Sequence, residues 1–485
     1  MTCRIVRPLR CICLLALALN ACGDSEGSLS DPGGTAGAIL VRITPLGNGT
    51  DPDGFAVAVG TRTTSASATA PGIVADLRSG RYPVRLSGIA PHCFTDTIER
   101  TVDVRPRDTL VVAFEVECYG DIAFTRHYRD DSLQVFYLRP DGVEVQLSSF
   151  PGRNFLEDWS ADGSRVLFTQ ERAGSMDVYS VRLDGTGLAR LTTHPYYDLA
   201  PRWSPDGQRV LFYREKSITG PFERASLHVV NADGTAERVV LDTLAQDFDA
   251  TWSPDGREIL FSCNRFGRFW DICSVAPDGT QLRGRVRLDG AQKAQWSPDG
   301  THIAFVGFAG GQNVWVADLV ASRLVNLTPA SSSFSFDWSP DGSRLVLVGK
   351  EPNGTDATLR VNRDGTASLG LSATFSSGWV DWSPDGAKII ADLLLTDGRR
   401  RAVIMNPDGS RKRVLDGVGS VAAYRFTWNP RSLPGRGSAT SDVRSTFMVQ
   451  RPSAASTKTQ PADGLCIEAV GQQMIGRRCR GALQR

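Results

Sequence analysis

Trp203-Ser204-Pro205-Asp206-Gly207, Trp252-Ser253-Pro254-Asp255-Gly256 and Trp296-Ser297-Pro298-Asp299-Gly300 are three copies of one pentapeptide. With an aspartate in front, it returns as Asp337-Trp338-Ser339-Pro340-Asp341-Gly342 and Asp381-Trp382-Ser383-Pro384-Asp385-Gly386. An earlier copy reads Asp158-Trp159-Ser160-Ala161-Asp162-Gly163, and a decayed one, Trp428-Asn429-Pro430, ends the series. Successive tryptophans stand 44, 49, 44, 42, 44 and 46 residues apart. Chance does not produce such a period, and it marks an array of repeated supersecondary units.

Each part of the repeat has a physical reason. Proline at the second position of Ser-Pro-Asp-Gly presets φ, aspartate bonds back to the backbone, and glycine takes the left-handed conformation, which makes a tight turn. The turn joins the tryptophan strand to a second strand whose apolar residues alternate: Val166/Phe168, Val210/Phe212, Ile259/Phe261, Ile303/Phe305, Leu345/Leu347 and Ile389/Ala391. A third strand ends in a second turn, as in Asn231-Ala232-Asp233-Gly234-Thr235 and Asn362-Arg363-Asp364-Gly365-Thr366. An edge strand such as Leu188-Ala189-Arg190-Leu191-Thr192 completes a four-stranded unit. A period of 42 to 49 residues with four strands per unit is that of a propeller blade. Ile122/Phe124 begins a further unit that lacks its tryptophan strand, which Phe426-Thr427-Trp428 would supply from the other end of the domain. The predicted fold is therefore all-β, with seven blades over residues 120–430 and the repeat tryptophans Trp159, Trp203, Trp252, Trp296, Trp338, Trp382 and Trp428 packed between them.

These residues resemble the TolB-like, WD40-like beta-propeller repeat family over about residues 121 to 430. The resemblance implies a propeller that binds partners, although a six-bladed TolB would differ in blade number and its periplasmic partners do not follow from the fold. It also implies a rival. The same repeat accompanies serine peptidases of the prolyl-oligopeptidase type, whose hydrolase domain carries a Gly-x-Ser-x-Gly elbow. The repeats and the 55 residues after residue 430 contain no such pentapeptide, so a peptidase of this type is not expected.

Outside the repeats the chain divides into four further segments. Residues 1–21 carry Arg4, Arg7 and Arg10, no acid and a short apolar run, as a secretory leader does. Leu19-Asn20-Ala21-Cys22 resembles the bacterial lipobox, which implies acylation of Cys22, a membrane anchor without a spanning helix, and an outer-membrane lipoprotein facing the periplasm or the surface. A conventional leader cut near Ala21 is the alternative. Residues 22–36 then form a Gly/Ser/Asp-rich tether. Residues 37–119 read as a small antiparallel β-sandwich of immunoglobulin-like or carboxypeptidase-regulatory type, from runs such as Ile39/Val41/Ile43 and Leu110 to Val116. Asp51-Pro52-Asp53-Gly54 lacks the further oxygen ligands of a calcium loop and reads as a turn. Residues 431–485 lose the repeat and read as a low-complexity tail, disordered or out of frame.

Export permits disulfides, and Cys93 with Cys118 and Cys263 with Cys273 are neighbouring candidates. Zinc has neither a CxxC pair nor histidines at ligand spacing to support it. Five histidines (92, 127, 194, 228 and 302) show no HExxH, and no phosphate loop or nucleotide fingerprint is present, so neither catalytic residues nor a metal or cofactor are predicted. His302 is expected to face solvent. Two irregular loops are candidate partner contacts: residues 213–224, with Phe222 and Arg224, and residues 264–270, where Arg265, Phe266, Arg268 and Phe269 interleave charge and aromatic surface. The formal charge of +1 conceals a leader of +3 and a tail of +6, so residues 22–430 carry −8. An acidic body disfavours nucleic acid. The sequence therefore points to a non-catalytic binding or scaffold module at the cell envelope, with an envelope protein or a surface glycan as partner. The alternative is a propeller-hosted lyase or hydrolase acting on surface polysaccharide or peptide.

Overall fold

The computed structural model describes residues 36–127, 132–172, 174–215, 225–242, 247–264, 270–288, 290–328, 335–350, 356–372, 376–394, 400–415, 423–431, 465–470 and 473–478. No helix occurs among them. Cys22 and the partner-contact candidates Phe222, Arg224, Arg265, Phe266, Arg268 and Phe269 lie outside the described residues.

Two four-stranded sheets make the first layer pair. One is built around Gly37–Gly47 and Thr109–Cys118, the other around Phe55–Val59 and Gly80–Ser87. Alternate residues point inward: Ile39, Val41 and Ile43 meet Phe55, Val57, Val84, Leu86, Val112 and Phe114 in one core. The expectation of an antiparallel sandwich needs correcting at one place, because Gly37–Gly47 and Thr109–Cys118 run parallel over ten residue pairs. The long connection between the two strands makes parallel pairing feasible. Asp51 to Gly54 forms a turn, in which the Asp51 carboxylate accepts from the Ala90 amide at 3.1 Å. Cys93 and Cys118 face each other across the short Cys93–Phe94 strand and are joined.

Seven four-stranded antiparallel units follow among the described residues. We number the blades by their inner strands: Asn154–Trp159 (blade 1), Tyr197–Trp203 (2), Phe248–Trp252 (3), Gln292–Trp296 (4), Phe336–Trp338 (5), Ser376–Trp382 (6) and Ala423–Trp428 (7). Blade 7 takes its inner strand from the C-terminal end of the domain and its other strands, Ile122–His127, Leu133–Leu138 and Glu144–Gln146, from the N-terminal end. Trp428 pairs with Ile122 and Phe426 with Phe124, so the ring closes by hydrogen bonds rather than by covalent continuity. Closure removes two sheet edges that an open array would expose.

The alternating residues of the second strands form the cores between blades, and Val166, Phe168, Val210, Phe212, Ile259, Phe261, Ile303 and Phe305 are fully buried. The repeat turn is held as its sequence requires. At blade 3, Ser253 Oγ donates to Asp255 at 2.6 Å and accepts from the Glu258 amide at 2.9 Å, and the Gly256 amide bonds to the Ser253 carbonyl. The turn glycine has φ 69°, which disfavours any side chain there. Strand ends are shorter than the pattern suggested, and the edge strand of blade 1 is only Ala189–Arg190, with Leu188 exposed.

The sandwich is riveted to blades 6 and 7. Lys388 pairs with Glu117, Arg413 with Asp96, and Tyr119 meets Trp428 edge to face at 6.3 Å. His92 Nε2 hydrogen-bonds the Thr50 carbonyl at 2.8 Å, and a Cβ on Gly142 of blade 7 would collide with its ring. Within the tail, Leu465–Val470 and Gln473–Arg478 form a hairpin whose first strand runs parallel to Arg283–Arg287, the outer strand of blade 3. Reading residues 431–485 as wholly unstructured missed this hairpin. Leu465, Ile467 and Ala469 alternate along the first strand, and an unpaired blade edge is a template for such a strand.

Candidate functional site

The inner strands surround a cavity of about 700 Å³. Its wall is written by the residues just before each repeat tryptophan. One position back stand Asp158, Arg202, Thr251, Gln295, Asp337, Asp381 and Thr427, and three back, in blades 2 to 7, stand Ala200, Asp249, Lys293, Ser335, Trp379 and Arg425; all of these line the cavity. Pairing shifts register at this point in six of the seven inner strands. Ala200, Asp249, Lys293 and Arg425 sit in the bulges with φ between 46° and 53°. A bulge re-aims its side chain, here toward the channel, and non-glycine residues held left-handed cost about 1 kcal/mol or more each.

Three of the aspartates work as latches between blades. The carboxylates of Asp158, Asp337 and Asp381 accept the backbone amides of Trp203, Trp382 and Trp428, the tryptophans of the next blade, at 2.8, 2.9 and 3.1 Å. This explains the aspartate that precedes some copies of the motif. Desolvation at the channel wall raises the affinity of Asp158, Asp249 and Asp337 for a proton. Asp381 is driven well above the ordinary carboxyl range, first by desolvation and then by the Asp337 charge beside it, and the two carboxyls hydrogen-bond to each other.

Two of the three cations are equally engaged. Arg425 donates to the Leu156 carbonyl, the Glu157 carbonyl and the Glu157 carboxylate, each at 2.7 Å, and Arg202 reaches the Glu157 carbonyl at 3.1 Å and its carboxylate at 3.7 Å. One glutamate thereby ties blades 7, 1 and 2 together. The Arg425 guanidinium also lies 4.8 Å from the Trp379 ring, whose side chain remains 44% exposed. Lys293 and Gln295 are exposed on the same wall.

The repeat tryptophans are buried except Trp296, which is half-buried. Trp203, Trp252 and Trp296 also border the cavity. Cys263 and Cys273 are fully buried and joined within blade 3, away from the channel lining. The histidines do not converge. His92 lies at the junction of sandwich and propeller, and His194 packs against Tyr196 with tilted rings 4.8 Å apart in the loop entering blade 2. His302 corrects its expectation: it is buried in the second strand of blade 4, with Nε2 3.6 Å from Asp318 directly across the strand pair. Its neighbour strand covers the face that simple alternation assigned to solvent.

A hydrogen-bonded series in blade 2, Ser226 Oγ to His228 Nε2 at 2.8 Å and His228 Nδ1 to Glu237 at 3.1 Å, has the order of a nucleophile, base and orienter. Ser226 is fully buried, so no substrate carbonyl reaches its Oγ. Among the described residues the one cluster with metal-ligand spacing is His92, Cys93 and Cys118, and its sulfurs are committed to each other. Sequence reasoning missed the channel residues, which share a position counted back from each tryptophan but no common residue type.

Residues 218–384 match the PD40 family, described as the TolB beta propeller domain. An uncharacterized protein of Agrobacterium fabrum is 36% identical over 74 residues, which are 15% of this chain. The chain spans 25% of the length of that curated relative. Among solved structures, TolB from Acinetobacter baumannii is similar at 15% identity, covering 66% of this chain and 83% of its own, with a TM-score of 0.43. An oligogalacturonate lyase from Vibrio parahaemolyticus is similar at 13% identity, with 61% and 85% covered and a TM-score of 0.45. The propeller domain of the Trilobed protease from Pyrococcus furiosus gives 12% identity, 61% and 92% coverage and a TM-score of 0.46.

Proposed function

From the premise that the chain carries a TolB-like beta propeller, we propose that it is a non-catalytic binding module, anchored at the cell envelope through acylated Cys22. Its binding surface is the channel mouth. One observation carries this reading: five of the seven charged groups of the wall are spent on holding blades together. Asp158, Asp337 and Asp381 take tryptophan amides, and Arg202 and Arg425 take Glu157. Acid–base chemistry needs a group presented to the substrate with its proton in play. What the wall offers instead is recognition surface: Trp379, Lys293 and Gln295.

The runner-up is an enzyme acting on surface polysaccharide or peptide, and the Asp337–Asp381 carboxyl pair favours it. Photo-crosslinking separates partner binding from an idle channel. A photoreactive residue at position 379, in cells, is expected to give a discrete envelope adduct that the same residue at the exposed Val320 does not. Equal labelling at both positions, or none at 379, refutes the channel as the binding surface.

A further inference from the structure

The channel specifies a ligand class as well as a location. Building on the binding reading above, we propose that the channel mouth is a saccharide site, in which the Trp379 indole stacks on the apolar face of a sugar ring while Lys293 and Gln295 hold its hydroxyls.

Four features lead there. First, the cavity of about 700 Å³ falls within the range that encloses a small ligand. Second, Trp379 is a large aromatic left 44% exposed in an enclosure of mixed polarity, with Arg425 against its ring. A half-exposed indole beside charged groups suits a partner that is apolar on one face and hydrogen-bonding at its rim, as a pyranose is. Third, the wall mixes both signs of charge. Asp158, Asp249, Asp337 and Asp381 line the cavity together with Arg202, Lys293 and Arg425. A wall of mixed sign is not a field built for a polyanion or a polycation. Hydroxyl groups, by contrast, both donate and accept, and so use the amide oxygen of Gln295 and the ammonium or amide hydrogens of Lys293 and Gln295 alike. Fourth, the rival ligand, an extended peptide, would add to a strand edge. The inner strands are short and broken by bulges at Ala200, Asp249, Lys293 and Arg425, which removes the continuous edge a peptide strand needs.

The site uses little that the repeat requires. Neither Lys293 nor Trp379 belongs to the turn or to the buried inter-blade cores, so folding leaves both positions free to serve what the channel holds.

Calorimetric titration of the full chain with chitotetraose and with cellotetraose tests the proposal. Saturable binding of at least one probe, at one site per chain, is expected. Trp379→Ala should weaken it about tenfold or more, Trp379→Phe should restore most of it, and both variants should melt with the wild type. No binding of either probe at millimolar concentration, or an affinity unmoved by Trp379→Ala, overturns the saccharide assignment. A channel adduct at position 379 that proves to be a peptide would then leave the binding-module reading standing and remove only the ligand class. Conversely, mass analysis of the probes after overnight incubation should recover them intact. Cleaved probe would keep the saccharide site and overturn the non-catalytic reading.

Discussion

Phe426→Ala strikes the seam where the two ends of the propeller meet, and its consequence can be worked out from the packing there. Phe426 is 5% exposed and stacks on Phe124 with ring centroids 5.7 Å apart and planes at 22°, and Phe124 stacks in turn on Phe136 at 5.8 Å. The same inner strand supplies the Trp428 amide to Asp381 and Arg425 to Glu157. Truncating a buried phenylalanine costs about 3 to 5 kcal/mol in lost transfer energy and residual cavity. A propeller of about 300 residues has an unfolding entropy near 0.6 kcal/mol/K, so the melting temperature should fall by about 5 to 8 °C. Phe305→Ala, equally buried but inside blade 4, is the control. It should lose comparable stability while leaving the ring closed. Calorimetry gives the melting temperatures, and limited proteolysis gives the place of first cleavage. Cleavage is expected near Ala423–Trp428 in Phe426→Ala only. A fall below about 2 °C, or the same first cleavage site in both variants, would refute closure by that strand.

Three further outcomes follow from other parts of the molecule. Lys388 and Glu117 form an ion pair largely buried between sandwich and propeller, so Lys388→Ala should cost about 3 kcal/mol in urea titration, and less when combined with Glu117→Gln, because the orphaned charge is the main penalty. Stability should peak at mildly acidic pH. The turn carboxylates Asp162 and Asp341 are held down to about 2 by their serine hydroxyls and following amides, so their contribution is complete above about pH 4 and is lost as pH falls toward 2. The channel carboxyls Asp158, Asp249, Asp337 and Asp381 shift upward, so theirs is complete at low pH and is lost as pH rises through the folded-state values. Melting temperatures rising steadily to pH 8 would contradict this, and Asp381→Asn should flatten the upper arm. Finally, Cys22→Ser should abolish incorporation of labelled palmitate and release the protein from membranes; labelling that persists would remove the anchor.

What could be read from the sequence, and what could not, follows from how a repeat encodes information. The tryptophan, the Ser-Pro-Asp-Gly turn and the paired apolar residues recur because every blade needs them for folding, and recurrence is what a single sequence displays. Even the closure across the propeller's two ends was legible, since Ile122/Phe124 lacked a tryptophan strand and Trp428 lacked a unit. The sandwich was legible as strands but not in direction, because alternation reports which face a residue occupies and says nothing of whether Gly37–Gly47 runs with or against Thr109–Cys118. His302 was misplaced for the opposite reason: alternation supplies two faces, and both are covered in a blade packed between neighbours. The channel was illegible because Ala200, Asp249, Lys293, Ser335, Trp379 and Arg425 occupy one position of the repeat and share no chemistry. A search for constancy passes over such a position by construction. Its bulge hides it further, since a register shift is not written in residue type. The folding constraints are met elsewhere in each blade, so this variable position is where the sequence is free to answer to a ligand, and Trp379 is the side chain there whose exposure folding alone would not select.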